Sequence, residues 1–334
     1  MTPIHSALVH AAVHVPAGRQ SAAEAEELFR RRNPGLGLPP GVLEHMYGLR
    51  QRTVAPPEDQ PSDLAARAAR TVLAESGTDA RDVDLLLFAG ILADYEEPAT
   101  AHVVADKIGV AAPVMDLKNA CNGVLNALEV ADAFVRAGRY RRVLVTTGEV
   151  STRESRWHEP VGDRAEALSA LPSLSTGDMG SALLVEASAR PGVLGARFFA
   201  NSRGWPAATL PNAYADHRRL GRLRIDSARL AASFDGLPER IRAAVGELGV
   251  KAGDFDLVCV HQPSVPFTRL VCEWIGVDPD RVLATFPDHG NVATNTIPLQ
   301  LATALREGRL RRGDLVGLFG FASGASAGVV VCEW

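Results

Sequence analysis

The stretch VMDLKNACNGVLNALEVADAFVRA, residues 114–137, carries the pattern that decides the fold of this chain. Apolar or small residues follow helical spacing through it, at Cys121, Val124, Leu125, Leu128, Ala131 and Val135. The spacing predicts a buried helix with Cys121 in or next to its first turn. Unpaired backbone N–H groups and the positive end of the helix dipole lie at such a start, so the position favours a reactive thiolate. A packed core cysteine accounts for the stretch equally well.

Length and composition indicate a globular protein with room for a large core. The 334 residues suffice for two modest domains or one large duplicated unit, with 46% hydrophobic and 22% charged residues. A net charge of -4 gives no reason to expect nucleic acid as a partner. We find no apolar span long enough to cross a membrane and no signal-peptide pattern in the first residues, MTPIH, so no membrane association and a cytoplasmic location are expected.

The cysteines give no sign of a metal centre. They are scattered along the chain, at Cys121, Cys259, Cys272 and Cys332. None has the paired spacing of a zinc site or of a disulfide framework. We therefore expect no metal.

Strand and helix patterns alternate along the first half of the chain. In chain order they predict a strand at 5–15, a helix at 22–31, a loop at 34–41, a helix from a cap at Ser62 or Asp63 to about Ser76, a strand at 84–91, a helix at 99–108, the Cys121 helix and a strand at 143–150. Such alternation predicts an α/β protein with a largely parallel sheet.

The second half of the chain repeats the first. RAGRYRR at 136–142 resembles REGRLRR at 306–312, so that Gly138 corresponds to Gly308, 170 residues later. With the same shift of 170 residues, Cys121 corresponds to Asn291. Two further pairs of segments match, 83–88 with 255–260 and 175–186 with 323–333. Internal duplication follows from these matches.

A duplicated chain would bring three chemically useful side chains together. We divide it into halves at 1–175 and 176–334, and expect the starts of the Cys121 and Asn291 helices to converge about a pseudo-twofold axis. His261 follows an apolar strand, and ligands of parallel α/β sheets usually meet the strands at their carboxyl ends.

The chemistry of these side chains suits thioesters. An imidazole at His261 can donate a hydrogen bond to a thioester carbonyl or move a proton. The Asn291 amide can help to stabilise an enolate oxygen while Cys121 forms an acyl-enzyme. Taken alone, each residue is better explained structurally, His261 as a core or strand-end histidine and Asn291 as a helix N-cap. The combination with Cys121 favours a catalytic site.

Four ordered motifs resemble the Cys-His-Asn signatures of 3-oxoacyl-ACP synthase III proteins in the thiolase superfamily. They are NACNG at 119–123, VHQP at 260–263, GNV at 290–292 and GFASGAS at 320–326. Weaker landmarks are GLRQR at 48–52, SDL at 62–64 and TGD at 176–178. The resemblance covers essentially the whole chain.

The resemblance implies a thiolase-like, five-layered αβαβα fold built from two similar halves, and a homodimer. It implies that Cys121 takes an acyl group from CoA or an acyl carrier protein. His261 and Asn291 would polarise a second thioester, commonly so that a malonyl unit loses carbon dioxide and the resulting enolate forms a carbon–carbon bond. No bound metal or redox cofactor is implied, since thioesters of CoA or of the carrier's phosphopantetheine are the substrates.

An oxyanion hole is also implied by the resemblance. The backbone N–H of Cys121 would form it with one from the loop that holds Gly320, Phe321 and Gly324. Ala322 in this loop stands where relatives often carry Gly.

Departures from the family pattern argue against standard CoA-primed synthesis. The Trp and Arg that grip CoA in the fatty-acid-priming enzymes are missing from residues 42–47. Pro263 and Ser264 replace the Ala-Asn that usually follows His-Gln in those enzymes. Ala327 stands where many relatives carry Trp, which would enlarge the pocket.

Glu97 is a further departure, just before Pro98. The priming enzymes typically place a Phe there, which crosses the dimer interface and closes the partner's acyl pocket. A carboxylate in an apolar pocket should have a raised pKa and could act as a base. We interpret Glu97 as a residue that shapes an unusual acceptor site or removes a proton, with a solvated loop glutamate as the alternative.

A basic run lies later in the chain, with arginines at Arg218, Arg219, Arg222 and Arg224. It could receive an acidic carrier protein or a CoA phosphate, and a solvated face is the alternative.

Three functions fit the sequence. The first is a ketosynthase-III-like condensing enzyme of specialised or fatty-acid-type metabolism. The second is an acyltransferase that passes the acyl group from Cys121 to an alcohol or amine without decarboxylation. The third is a noncatalytic partner subunit of a heterodimeric synthase, against which the intact Cys121, His261 and Asn291 argue.

Overall fold

The computed structural model describes residues 4–156, 160–211 and 223–334, which form two sheets and the helices around them. The strands are β1 (His5–His14), β2 (Gly18–Ser21), β3 (Gln51–Val54), β4 (Leu85–Phe88), β5 (Val114–Asp116), β6 (Arg142–Val150), β7 (Asp178–Ser188), β8 (Val193–Ala200), β9 (Ala208–Thr209), β10 (Arg224–Ile225), β11 (Leu257–Val260), β12 (Leu315–Ala322) and β13 (Ser326–Glu333). The helices are α1 (Ala22–Arg32), α2 (Val42–Tyr47), α3 (Pro61–Ser76), α4 (Thr100–Ile108), α5 (Gly123–Arg136), α6 (Arg164–Leu174), α7 (Ser227–Ala232), α8 (Leu237–Glu247), α9 (Val265–Ile275), α10 (Phe286–His289) and α11 (Thr296–Arg306).

The two main sheets have matching strand orders. The first runs β1-β7-β6-β4-β5, and the second runs β8-β13-β12-β11. Each sheet contains a corresponding parallel pair, β4 with β6 and β11 with β12, and the next two strands each run antiparallel to their neighbour. A parallel bridge between Val258 and Val282 stands where β4 pairs with β5 in the first sheet. The predicted duplication is therefore visible in strand order and in strand direction.

The prediction of a largely parallel sheet was wrong, because both sheets are mixed. In each sheet, the last strand in chain order, β7 or β13, runs antiparallel to the strand before it in the chain. Between β12 and β13 only residues 323–325 intervene. So short a turn permits only an antiparallel return, since a parallel pair needs a crossover of a dozen residues or more.

The helices and the two sheets stack in five layers, as predicted. α5 and α11 lie between the sheets and contact strands of both. α3 covers the outer face of the first sheet, and α8 and α9 cover the outer face of the second. Leu125 and Leu301, from the two middle helices, are fully buried in the same core cluster. Each such leucine contributes roughly 1.5–3 kcal/mol of hydrophobic stabilisation, so the central layer joins the two halves.

Some element bounds differ from prediction. α3 begins at Pro61 with Gln60 as its cap residue, so the expected cap at Ser62 or Asp63 was wrong. Proline favours the first helical position because it has no N–H to leave unpaired. The short β2–β3 pair and α2 were not predicted.

The position at which the chain changes sheets follows β7. β7 belongs to the first sheet and β8 to the second, whereas the halves were divided at residue 175. That division, 1–175 and 176–334, stays a prediction. Within the described ranges, no helix has the length and apolar character needed to cross a bilayer.

Candidate active site

A cavity of about 590 Å³ opens where the two halves meet, and it brings Cys121, His261 and Asn291 together. Each comes from a different segment: Cys121 precedes α5, His261 follows β11, and Asn291 precedes α11. Most of the other lining side chains are apolar, among them Ile91, Leu92, Leu210, Leu230, Phe267, Leu270 and Phe321. The arrangement suits an apolar chain with a polar group at the end near the three side chains.

Cys121 lies in a tight turn at the start of the middle layer. Ala120 before it has a φ of 46°, in the left-handed region that L residues rarely adopt, and α5 begins two residues later at Gly123. The side chain keeps some exposure through the cavity. Burial against the surrounding protein raises the pKa of Cys121 to about 12, and the nearby carboxylate of Glu149 adds to this. The expectation that the helix start favours a thiolate at Cys121 was therefore wrong, since desolvation outweighs the helix dipole.

Asn122 ties the Cys121 turn to the second half of the chain. Its side-chain Nδ2 donates to the backbone oxygen and to Oγ of Ser326, at 3.1 and 2.9 Å. Gly320 makes the approach possible, since a Cβ there would lie 1.9 Å from Asn122 Oδ1. The loop expected to supply an oxyanion-hole N–H is thus fixed against Cys121. Phe321 of this loop lines the cavity, whereas Gly320 and Gly324 are not among its described lining residues.

His261 is held rigidly at the end of β11. Its backbone N–H donates to the Phe319 oxygen at 3.0 Å, and the Gln262 amide bonds to Leu283, Thr285 and Phe286. The His261 side chain is only 4% exposed, and this burial lowers its pKa to about 4. The imidazole is therefore neutral near pH 7, and it can donate through one ring nitrogen and accept through the other.

Asn291 is clamped by the chain segment that precedes β7. Its N–H donates to the Ser175 oxygen at 2.8 Å, and its oxygen accepts from the Gly177 N–H at 2.9 Å. The side-chain Oδ1 accepts from the N–H of Ala293 at 3.0 Å, two residues on, which leaves the amide N–H groups to face a ligand. The helix that follows is capped by Asn295, so Asn291 is not its N-cap.

Gly177 explains the TGD landmark in physical terms. A Cβ on Gly177 would lie 2.0 Å from the backbone oxygen of His289, so only glycine permits the close approach of the two chains. Asp178 then anchors the strand start, because its carboxylate accepts from the N–H groups of Ala55 and Thr152, both at 2.8 Å. The segment before β7 therefore holds Asn291, and the bonds from Ala55 and Thr152 hold that segment in turn.

Sequence reasoning missed Glu149, which is the penultimate residue of the apolar strand β6 and has no solvent exposure. Its carboxylate accepts from the N–H of Ile91 at 2.8 Å and from the Thr294 hydroxyl at 2.8 Å. Burial raises the pKa of Glu149 to about 7. A single acidic residue in a strand that is uncharged from Val143 to Gly148 was the signal that could have indicated it. The same bond turns the chain away after β4, which ends at Phe88 and not at residue 91 as predicted.

Glu97 and the basic run are the remaining predicted residues. Glu97 is exposed and is not among the described residues that line the cavity of its own chain. Arg218, Arg219 and Arg222 lie outside the described residues. Arg224 begins β10, which pairs with β9 beside the cavity.

Comparison with known proteins gives the family. The family "3-Oxoacyl-[acyl-carrier-protein (ACP)] synthase III" matches residues 115–202, and its C-terminal counterpart matches residues 245–334. A beta-ketoacyl-[acyl-carrier-protein] synthase III of Bordetella petrii is 32% identical over 290 residues, which are 86% of this chain and 85% of that protein. One of Thiobacillus denitrificans is 30% identical over 292 residues, 86% of this chain and 88% of that protein.

Solved structures agree on the fold. A crystal structure of a variant of Xanthomonas campestris OleA has a TM-score of 0.90 and 24% identity, and covers 100% of this chain and 99% of that one. Another, with bound lauric acid and lauroyl-CoA, has the same score and identity and covers 99% of each chain. The chain has the thiolase fold, belongs to the 3-oxoacyl-[acyl-carrier-protein] synthase III family, and is an acyl-thioester condensing enzyme of the ketosynthase type.

Proposed function

We propose that Cys121 carries the acyl group during condensation. Its sulfur attacks the carbonyl carbon of an acyl thioester, the new Cys121 thioester forms, and the CoA or carrier thiol leaves with the proton. A malonyl thioester then loses carbon dioxide, and its enolate carbon attacks the acyl carbonyl. The carbon–carbon bond forms as the Cys121 sulfur leaves. The observation that carries this proposal is the convergence of Cys121, His261 and Asn291 on one cavity.

His261 and Asn291 receive the role of hydrogen-bond donors to the enolate oxygen. A neutral imidazole and an amide can both donate to this oxygen, and burial keeps His261 neutral. The backbone N–H of Cys121, with one from the Gly320–Gly324 loop, would serve the acyl carbonyl. No step in this scheme calls for a metal.

The acyl donor is proposed to be a CoA or acyl-carrier-protein thioester. The curated relatives are named for the acyl carrier protein, and one OleA structure holds lauroyl-CoA. A cavity of about 590 Å³ with mainly apolar lining residues supports a chain of medium length. The basic run that includes Arg224 is proposed to receive the acidic carrier or the CoA phosphate.

A homodimer is proposed as the working form. β5 is at the edge of the first sheet and pairs only with β4 among the described strands, so one side of it remains open for a second chain. Glu97, exposed in a single chain, is proposed to reach the acyl pocket of the partner, where it would shape the acceptor site or remove a proton. A cytoplasmic location stays a prediction.

The rival to condensation is acyl transfer to an alcohol or amine. Intact-protein mass spectrometry after incubation with acyl and malonyl thioesters, run alongside carbon dioxide release, separates the two. We expect acylation of the protein and malonyl-dependent carbon dioxide. Acylation that an alcohol or amine discharges, without carbon dioxide, would instead establish the acyltransferase, and a protein that takes up no acyl group would be a partner subunit.

The matched pair of variants for this experiment is Cys121→Ala and Cys272→Ala. Cys272 is buried in α9 and does not line the cavity. We expect acylation to disappear in Cys121→Ala and to persist in Cys272→Ala.

A further inference from the structure

Glu149 joins three parts of the active site. It is the penultimate residue of β6, and its carboxylate accepts from the N–H groups of Ile91 and Leu92 at 2.8 and 3.4 Å. Both of those residues line the cavity. It also accepts from the Thr294 hydroxyl at 2.8 Å, three residues after Asn291. One buried carboxylate therefore fixes the cavity wall of the first half to the Asn291 segment of the second.

Thr294 extends the contact to the Cys121 helix. Its hydroxyl is 2.5 Å from the hydroxyl of Thr147, and either atom can be the donor. Its methyl group lies 3.6 Å from the position that a Cβ on Gly123 would occupy, at the first residue of α5. The two threonine hydroxyls can reverse their hydrogen bond, so Glu149 can be held either as a carboxylate or as an acid that donates to Thr294.

The charges that face Glu149 are few. The Cys121 thiol is near enough for the negative charge of Glu149 to raise its pKa, and the Lys118 ammonium is near enough to favour the carboxylate. Both residues line the cavity. Ile91, Leu92, Thr147 and Thr294 contribute only neutral groups. Ionisation of either Cys121 or Glu149 therefore makes ionisation of the other group less favourable.

We propose that Glu149 is a positioning residue that controls the charge of Cys121, with the thiolate favoured when Glu149 carries a proton and opposed when it does not. This inference deepens the proposed function, because it concerns how the nucleophile of that function becomes active. The same carboxyl group holds the Asn291 segment in both states through Thr294.

The pH dependence of Cys121 follows from this coupling. Below the pKa of Glu149, which burial raises to about 7, each pH unit increases the thiolate tenfold, as for an ordinary cysteine. Above it, most molecules carry a Glu149 carboxylate instead, and the thiolate fraction stops rising. The thiolate fraction rises again only at a pH high enough for Glu149 and Cys121 to be ionised in the same molecule. The width of this plateau in pH units equals the coupling between the two groups in pKa units.

Alkylation of Cys121 by iodoacetamide tests the inference without requiring any condensation. The rate of the wild-type protein, followed by peptide mass spectrometry from pH 5.5 to 9.5, should show the plateau. Glu149→Gln keeps the shape and an acceptor oxygen but removes the charge. We expect its rate to match the wild type near pH 6, to rise without a plateau, and to be about tenfold higher at pH 8.5 for a coupling of one pKa unit.

Glu26→Gln is the matched control. Glu26 is also a buried carboxylate, 3% exposed, and accepts two backbone N–H groups at 2.7 Å, from Gly41 and Leu43, but it does not line the cavity. The alkylation rate of Cys121 in Glu26→Gln should depend on pH in the same way as in the wild type. Thr294→Val is the second variant, since it keeps the Glu149 charge while removing the hydrogen bond. It should retain the plateau and lower the condensation rate.

Two results would overturn the inference. The first is a wild-type profile with a single slope and no plateau. The second is a Glu149→Gln rate that changes by the same factor at every pH, which indicates a loosened turn and no charge effect. If Glu149→Gln does not fold, the wild-type and Thr294→Val profiles decide. Because alkylation needs no thioester, a failed condensation assay would leave this result unaffected, and the two proposals can fail separately.

Discussion

Burial, more than hydrogen bonding, sets the charge of the side chains that meet in the cavity. Removal from water raises the pKa of the Cys121 thiol and of the Glu149 carboxyl, and lowers that of His261. In each case the neutral form is favoured, as desolvation requires. A site of neutral groups is suited to bind an apolar acyl chain first and to develop charge only as the reaction proceeds.

His261 should make the protein sensitive to acid. Its folded pKa of about 4 lies below the ordinary value of 6.5, so the unfolded chain binds the proton more tightly. His261 therefore does not reduce the free energy of unfolding above pH 6.5. It reduces this free energy progressively as the pH falls from 6.5 towards 4, because the unfolded chain takes up the proton more readily. Between pH 7 and pH 5 this loss amounts to about 2 kcal/mol. Glu149 acts in the opposite sense, since its raised pKa destabilises the fold as the pH rises from about 4.5 through 7.

Comparison of His261→Asn with the wild type isolates the contribution of His261 to the pH dependence of the free energy of unfolding. We expect the variant's free energy of unfolding, from urea titrations at pH 7 and pH 5, to gain about 2 kcal/mol relative to the wild type as the pH falls. His45→Gln, at an exposed position in α2, serves as control and should follow the wild type. An equal change of stability in all three proteins would rule out this account of His261.

At the scale of elements, the segment that leads into β7 holds Asn291 in place. The bonds from Gly177 and to Ser175 fix the backbone on both sides of Asn291. They are possible because Gly177 has no Cβ to meet the His289 oxygen. The sequence gives little indication of this contact, since Gly177 and Asn291 are 114 residues apart along the chain.

Gly177→Ala should therefore lower both stability and activity. The added methyl group must displace the His289–Asn291 segment, and we expect a loss of about 1–3 kcal/mol in the free energy of unfolding. The malonyl-dependent release of carbon dioxide should fall more than acylation of Cys121, because Asn291 moves and Cys121 does not.

Gly246→Ala is the control for this substitution. Gly246 lies within α8, and no atom stands within 4 Å of a Cβ built there. That variant should be as active as the wild type and more stable by up to about 1 kcal/mol. If Gly177→Ala behaved in the same way, the tight contact with His289 would have no importance for the site.

Patterns along the chain predicted most elements but not their ends. α1 begins after Ser21 with a complete capping box, close to the prediction of 22–31. β4 ends at Phe88 because Glu149, 58 residues away, binds the N–H of Ile91. Apolar composition alone cannot indicate where a partner of this kind intervenes.

At the scale of the whole molecule, the two halves share one cavity, and the proposed dimer would add a residue from a second chain. Glu97 is exposed in the single chain, on the loop that leads from the cavity wall at Ile91 and Leu92 towards α4. If the proposed dimer forms, Glu97 of one chain acts with Cys121 of the other.

Mixed dimers test this arrangement. Light scattering should give twice the mass of the chain, and Glu97→Gln should lower turnover and change its pH profile. Co-expression of Cys121→Ala with Glu97→Gln should restore activity, because the mixed dimer holds one site with both residues intact. With random pairing, about half of the dimers are mixed, and one of the two sites in each mixed dimer is intact. About a quarter of all sites therefore hold both residues. A monomeric protein, or no activity beyond that of the two separate variants, would exclude a role across the interface.

The duplication, the family and the three residues on which the proposed chemistry rests could all be predicted from the chain without its fold. Hydrophobic periodicity and short motifs are local properties, and they survive in the chain without its fold. The folded structure was needed to show the mixed direction of the sheets, the bonds from the segment before β7 to Asn291 and the electrostatic influence of Glu149 on Cys121. These depend on contacts between residues far apart in the chain and on the removal of water from them. A pKa is therefore a property of the folded site, and the residue type supplies only its starting value.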